Sequence, residues 1–123
     1  ARRKRIRIWG KVKRIIAGEH GELPPLRRTS EDGIGDPVTQ ISNETTFGLS
    51  VWFAGKCAHK TEVPARGKVT AVFCPGTYHI AAVVDSEDYL PLVREDQTFE
   101  AGVGYLLQFI VKKRPRAHGG PVQ

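Results

Sequence analysis

The sequence predicts an all-β fold, an antiparallel β-sandwich of about seven short strands, with a basic N-terminal strand or arm and a basic C-terminal tail. Three observations lead there. Apolar and polar residues alternate along short segments between residues 38 and 111. Turn-forming Gly, Pro, Asn and Asp break these segments roughly every eight to twelve residues. No segment reads as a convincing helix. A chain of 123 residues suits one domain with arms.

The elements follow in order. Residues 4–9 alternate, with Ile6 and Ile8 on one side and Arg5, Arg7 and Trp9 on the other. That is the pattern of a half-buried strand rather than an amphipathic helix. Gly10 turns the chain, and 12–16 reads as a second strand or as a single helical turn that Gly18 and Gly21 would stop. Residues 1–17 are therefore expected to form a basic strand or arm, held to an apolar surface by its isoleucines. Residues 18–37 contain Gly18, Gly21, Gly33 and Gly35 together with Pro24, Pro25 and Pro37, the composition of a linker. A structureless loop of that length is uncommon inside a compact domain, so it separates arm from body.

The body, 38–112, reads as strands at 38–42, 47–54, 60–63, 68–73, 77–85, 97–100 and 104–111. Phe47, Leu49, Val51 and Phe53 share one face of their strand. Tyr78, Ile80, Ala82 and Val84 do the same, as do Tyr105, Leu107, Phe109 and Val111. Residues 113–123 form the basic tail.

Cys57 and Cys74 are the two cysteines. The run Pro64-Ala65-Arg66-Gly67 is a turn signal. A hairpin folded about its centre sets Val63 opposite Lys68 and Cys57 opposite Cys74, so a cross-strand disulfide is expected. It closes a loop of about 16 residues, worth roughly 3 kcal/mol in the chain-entropy account. Such a bond implies an oxidising compartment, the periplasm or cell surface. The alternative is a pair of buried thiols in a cytosolic protein. A zinc site using Cys57, His59, Cys74 and His79 matches no closed structural spacing.

Charge is unevenly distributed. Residues 1–35 carry ten basic and four acidic groups, residues 36–111 five and nine, and residues 112–123 add four basic groups. The body is mildly acidic and both ends are basic. A dedicated nucleic-acid domain usually carries its basic face on the body, often with aromatic platforms. Basic ends suit anionic partners more generally. The candidate partner-binding residues are Arg2, Arg3, Lys4, Arg5, Ile6, Arg7, Ile8 and Trp9, with Lys112, Lys113, Arg114 and Arg116 in the tail.

No catalytic constellation stands out. The histidines (His20, His59, His79 and His118) are scattered, and no nucleophile–base set emerges from the spacing. Gly102-Val103-Gly104 lacks the strand–turn–helix setting of a dinucleotide site. The acids Asp85, Glu87, Asp88, Glu95 and Asp96 are read as solvated loops rather than a calcium site. No cofactor, metal or small-molecule substrate is expected. Asn43-Glu44-Thr45 is a glycosylation sequon, meaningful only in a eukaryotic secretory pathway. Trp52 lies on the less apolar side of its strand, where it either packs beneath another segment or stacks a sugar. No stretch approaches the length of a membrane span. The sequence contains no Met and starts at Ala1, which fits removal of a single Met or cleavage of a secretory signal alike; the expected disulfide favours the second, a mature form left after signal removal.

Three stretches carry a resemblance. Asn43-Glu44-Thr45 leads into a strand ending near Gly55. Cys74-Pro75-Gly76-Thr77-Tyr78 opens a core strand, and Gln97-Thr98-Phe99-Glu100-Ala101-Gly102 precedes Tyr105 and Phe109. Residues 38–111 thereby resemble small bacterial extracytoplasmic β-sandwich domains of the immunoglobulin-like or transthyretin-like type. The resemblance implies a non-enzymatic module and carries over no catalytic residue.

The expected function is that of an accessory subunit, which binds and stabilises a larger protein assembly, at or near a membrane surface, through its basic arms. Two alternatives are a nucleic-acid or ribonucleoprotein component and a carbohydrate-binding module using Trp52.

Overall fold

The structure, a computed structural model, describes residues 2–109, with side chains from residue 4 onward. Lys112, Lys113, Arg114, Arg116 and Val111 lie outside the described residues. One helix, α1 (Arg2–Ala17), precedes nine strands: β1 (Gly21–Glu22), β2 (Arg27–Ser30), β3 (Val38–Asn43), β4 (Leu49–Ala54), β5 (His59–Val63), β6 (Lys68–Val72), β7 (Gly76–Val84), β8 (Leu92–Phe99) and β9 (Gly104–Phe109).

They form two sheets. One has the order β1-β8-β7-β4-β5, the other β2-β9-β3-β6. Each sheet is mixed, because β1 runs parallel to β8 and β3 runs parallel to β9. The protein is thus mostly β, but with nine strands and two mixed sheets rather than about seven strands in an antiparallel arrangement. The supposed linker supplies two of the extra strands, β1 and β2. Leu23, between them, is fully buried, which anchors that segment to the body.

Inward positions of both sheets meet in one apolar core. Leu49, Val51 and Phe53 of β4 join Tyr78, Ile80, Ala82 and Val84 of β7. Ile41, Tyr105, Leu107 and Phe109 come from the second sheet. Period-two alternation explains why these strands form and which face they bury. Phe47 is the exception. It precedes β4, is 37% exposed, and leans on Tyr89 instead of entering the core.

The N-terminal segment is a helix, not a strand. Ile6 and Ile8 do not share a face: Ile6 is 64% exposed and Ile8 is 5% exposed. The operative spacing is Ile8, Val12, Ile15 and Ile16, the i, i+4, i+7, i+8 stripe of an amphipathic helix. The Ile-Arg-Ile alternation competes with that stripe over the first residues. The seat that decides between them comes from elsewhere in the chain. Trp52, Ala81 and Val93 sit side by side on the outward face of β4, β7 and β8, with Ala54 one step along β4. Small Ala side chains let the helix approach closely, and Ile8 and Val12 fill the seat.

Strands β5 and β6 do not form a hairpin. β5 pairs with β4 and β6 with β3, so the 64–67 turn carries the chain from one sheet to the other. The predicted disulfide is nevertheless present. Cys57 and Cys74 are bonded with their Cα atoms 5.7 Å apart, clipping the β4–β5 connection to the end of β6. The Tyr78 hydroxyl braces this clip. It donates to the Cys74 carbonyl at 2.6 Å and accepts from the Cys57 N–H at 3.3 Å.

Asn43 resolves the sequon. Its side chain is buried, and Nδ2 donates to the carbonyls of Phe47, Val63 and Pro64 at 2.8, 3.2 and 3.1 Å. Oδ1 accepts from the backbone and hydroxyl of Thr45. This side chain pins two crossings between strands, and a glycan has no access to it.

Candidate functional site

The strongest candidate for a functional surface is the outward face of α1. Eight of its sixteen residues are Lys or Arg and none is Asp or Glu. The apolar stripe is occupied by the sheet, which turns the remaining positions to solvent. Lys4, Arg5, Arg7, Lys13 and Arg14 are exposed and Lys11 is half-buried. Arg2 and Arg3 begin the helix, and their side chains lie outside the described residues.

This concentration of charge works against folding. A helix N-terminus carries partial positive charge, which favours acids there, and the first turn of α1 has none. Lysines and arginines three or four apart repel by a few tenths of a kcal/mol per pair. Arg7 and Lys11 are such a pair, as are Lys4 and Arg7. Among the described residues, no ion pair involves a cation of α1. The helix forms because its apolar stripe is docked; Lys11 and Lys13 lie over the Trp52 and Trp9 rings at 5.3 and 5.9 Å, while Lys4, Arg5, Arg7 and Arg14 are turned to solvent.

Trp9 anchors the helix to the sheet. Its indole N–H donates to the Gly55 carbonyl at 3.3 Å, and its ring meets the edge of His79 at 5.6 Å between centroids. Gly55 is buried, and a Cβ there would overlap the Tyr78 ring. One residue thus touches the inner core with its backbone and receives the helix with its carbonyl. An open groove of about 560 Å3 lies on the exposed side, lined by Arg5, Ile6, Trp9, Gly10 and Lys13. Gly10 leaves the gap between Ile6 and Lys13.

Of the residues expected to bind a partner, α1 brings together Lys4, Arg5, Ile6, Arg7 and Trp9. Ile8 instead faces the sheet and is unavailable. The helix adds Lys11, Lys13 and Arg14, which the strand reading left out. Their signal was present, because a turn of 3.6 residues aligns Lys4, Arg7, Lys11 and Arg14 along one flank.

Trp52 is half-buried within the helix seat. The ammonium groups of Lys11 and Lys60 lie over its ring at 5.3 and 5.5 Å, cation–π contacts that a stacking sugar would have to displace. His59 lies between Phe53 and Phe73, with ring centroids 6.1 and 5.7 Å away. Burial, with a smaller contribution from the Lys4 charge, holds its pKa below the usual imidazole value. Among the described residues, no group of three or more His, Cys, Asp or Glu side chains is placed to hold a metal ion. No described helix is long and apolar enough to cross a membrane.

Comparison with known proteins returned no match among family models, curated proteins or solved structures.

Proposed function

We propose that this chain is a non-enzymatic accessory subunit, a disulfide-clipped β-sandwich module of the immunoglobulin-like or transthyretin-like type that works outside the cytoplasm. It joins a larger assembly through the outward face of α1. The observation that carries this reading is the pairing of a docked apolar stripe with a solvent face of cations and no acids. A charge pattern that weakens its own helix is retained for an anionic partner. The Cys57–Cys74 bond supports the oxidising compartment.

The test is native extraction at low salt, followed by size separation of wild type and Arg7→Glu. Wild type migrates in a large assembly and dissociates from it as salt rises. Arg7→Glu runs as the free chain. Its folded state is at least as stable, because the introduced carboxylate and Lys11 form a favourable i, i+4 pair worth about 0.3 kcal/mol. A wild-type chain that runs alone at low salt rules the reading out.

A further inference from the structure

We propose that α1 seats this protein on an anionic phospholipid surface, with Ile6 entering the headgroup layer and the flanking cations on the lipid phosphates. The inference shares with the reading above the use of α1 as the docking face, and names the chemistry that face recognises.

Four observations converge on it. The first is geometry. α1 covers the outward face of the β1-β8-β7-β4-β5 sheet, so its solvent side forms an outermost surface of the body. A helix held along its length offers its cations to a flat partner together rather than one at a time.

The second is charge. Lys4, Arg7, Lys11 and Arg14 follow one flank over about 15 Å of helix at 1.5 Å per residue, while Arg5 and Lys13 line the groove on the other. With no acid in the helix, nothing in α1 opposes approach to a negatively charged plane. Such surfaces attract nearby Lys and Arg strongly enough that each cation adds about fivefold to partition.

The third is the apolar centre. Ile6 is 64% exposed and stands among cations, beside the half-buried Trp9. A row of nucleic-acid phosphates has no apolar layer to receive Ile6. A headgroup region does, and an aliphatic residue with a tryptophan beside Lys and Arg is the composition of an interfacial helix. Here the larger apolar stripe is committed to the sheet, so attachment is peripheral and governed mainly by charge.

The fourth is the disulfide. In an oxidising compartment a lipid surface is a more accessible polyanion than nucleic acid.

The experiment is co-sedimentation of the full chain with phosphatidylcholine vesicles, with and without phosphatidylglycerol. The variants are Ile6→Ser, Arg7→Glu and, as a control cation away from α1, Lys68→Glu. Wild type is expected to sediment only with the phosphatidylglycerol vesicles, and less so as salt rises. Arg7→Glu removes one cation and adds one anion, and weakens partition by about 25-fold. Ile6→Ser weakens it about tenfold, and Lys68→Glu leaves it unchanged. Ile6 is exposed, so that variant keeps the wild-type melting transition.

Two outcomes overturn the proposal. One is no sedimentation with phosphatidylglycerol vesicles at low salt. The other is sedimentation that Ile6→Ser leaves unchanged and that duplex RNA of equal charge abolishes, the behaviour of a general polyanion site. The two readings separate cleanly. A chain that ignores vesicles yet co-migrates with an assembly loses this proposal and keeps the accessory role. A chain that binds vesicles as described but runs alone after extraction loses the accessory role and keeps this proposal.

Discussion

The two faces of the β1-β8-β7-β4-β5 sheet are built on different terms. Its inner face meets the second sheet through interlocked rings: Phe53 against Phe73 at 4.7 Å, Phe73 against Tyr78 at 4.7 Å, and Phe99 against Tyr105 at 5.0 Å. The core there is clipped by a disulfide and pinned by Asn43. Its outer face offers Ala54, Ala81, Val93 and Trp52, and receives a single helix whose charges repel one another. The inner face carries the stability of the fold. The outer face carries a layer whose exposed surface is free to serve a partner. The inner face is filled by packed aromatic rings, whereas the outer face sets Ala54, Ala81 and Val93 beneath the helix with Trp52 beside them.

This contrast can be broken from the inner side first. Phe99 is 1% exposed and touches the rings of Phe53, Phe73, Tyr78 and Tyr105. Phe99→Ala should destabilise the whole protein by about 4 kcal/mol, read as one cooperative denaturant transition lost together in helix and strand signals. If the helix signal survives that loss, the two layers are not ordered as described.

Removing the clip comes next. Cys57→Ser with Cys74→Ser together should lower stability by about 3 kcal/mol, measured against the oxidised wild type, and reductant should do the same to wild type alone. An oxidised protein whose midpoint does not move under reductant contradicts a stabilising role for the bond.

The helix seat gives a smaller and more local effect. Val12, on the sheet-facing side of α1, is fully buried, and Val12→Ala should weaken docking by about 2 kcal/mol. Hydrogen exchange should rise across 2–17, while β7 and β9 keep their protection. Equal acceleration in both would mean that the helix and the sheets open as one unit.

The smallest effect is a pH dependence at the point where the layers meet. His59 is held below the ordinary imidazole value mainly by burial and secondarily by Lys4. The folded protein therefore keeps His59 neutral at a pH where the unfolded chain, near 6.5, already takes a proton. Stability from this residue is complete above that value and falls as pH drops through the window beneath it. Unfolding midpoints of wild type and His59→Gln, compared on either side of the window, should show the slope reduced in the variant. An unchanged slope assigns the acid sensitivity to another group.

The body was largely legible. Alternation located β3, β4, β6, β7 and β9 to within a few residues, and placed Leu49, Val51, Phe53, Tyr78, Ile80, Ala82, Val84, Tyr105, Leu107 and Phe109 in the core. The cysteine pair was found through a hairpin that does not exist. The pairing survives because the crossing at 64–67 still returns the chain beside itself. The cationic face was half legible. Lys4, Arg5 and Arg7 were expected among the partner-binding residues and are exposed, but the strand reading put Ile6 and Ile8 on one side and left Lys11, Lys13 and Arg14 aside. β8 was the hardest strand. Its segment Arg94-Glu95-Asp96-Gln97 is polar, and Asp96 takes a positive φ of 60°, so alternation fails there although the strand is continuous.

By itself, the sequence determined what local chemistry can determine: which residues between 38 and 109 alternate, where turns break them, which two thiols can meet, and how unevenly charge is spread. Tertiary structure alone decided the sheet to which each strand belongs, the parallel pairings of β1 with β8 and β3 with β9, and the identity of residues 2–17 as a helix. The reason is physical. A strand's partners and a helix's seat are surfaces assembled from residues far apart in the chain, and Trp52, Ala54, Ala81 and Val93 become one apolar seat only after three strands have paired. Until then Ile6-Arg7-Ile8 and Ile8–Val12–Ile15 support two periods equally well, and only burial against that seat chooses the second.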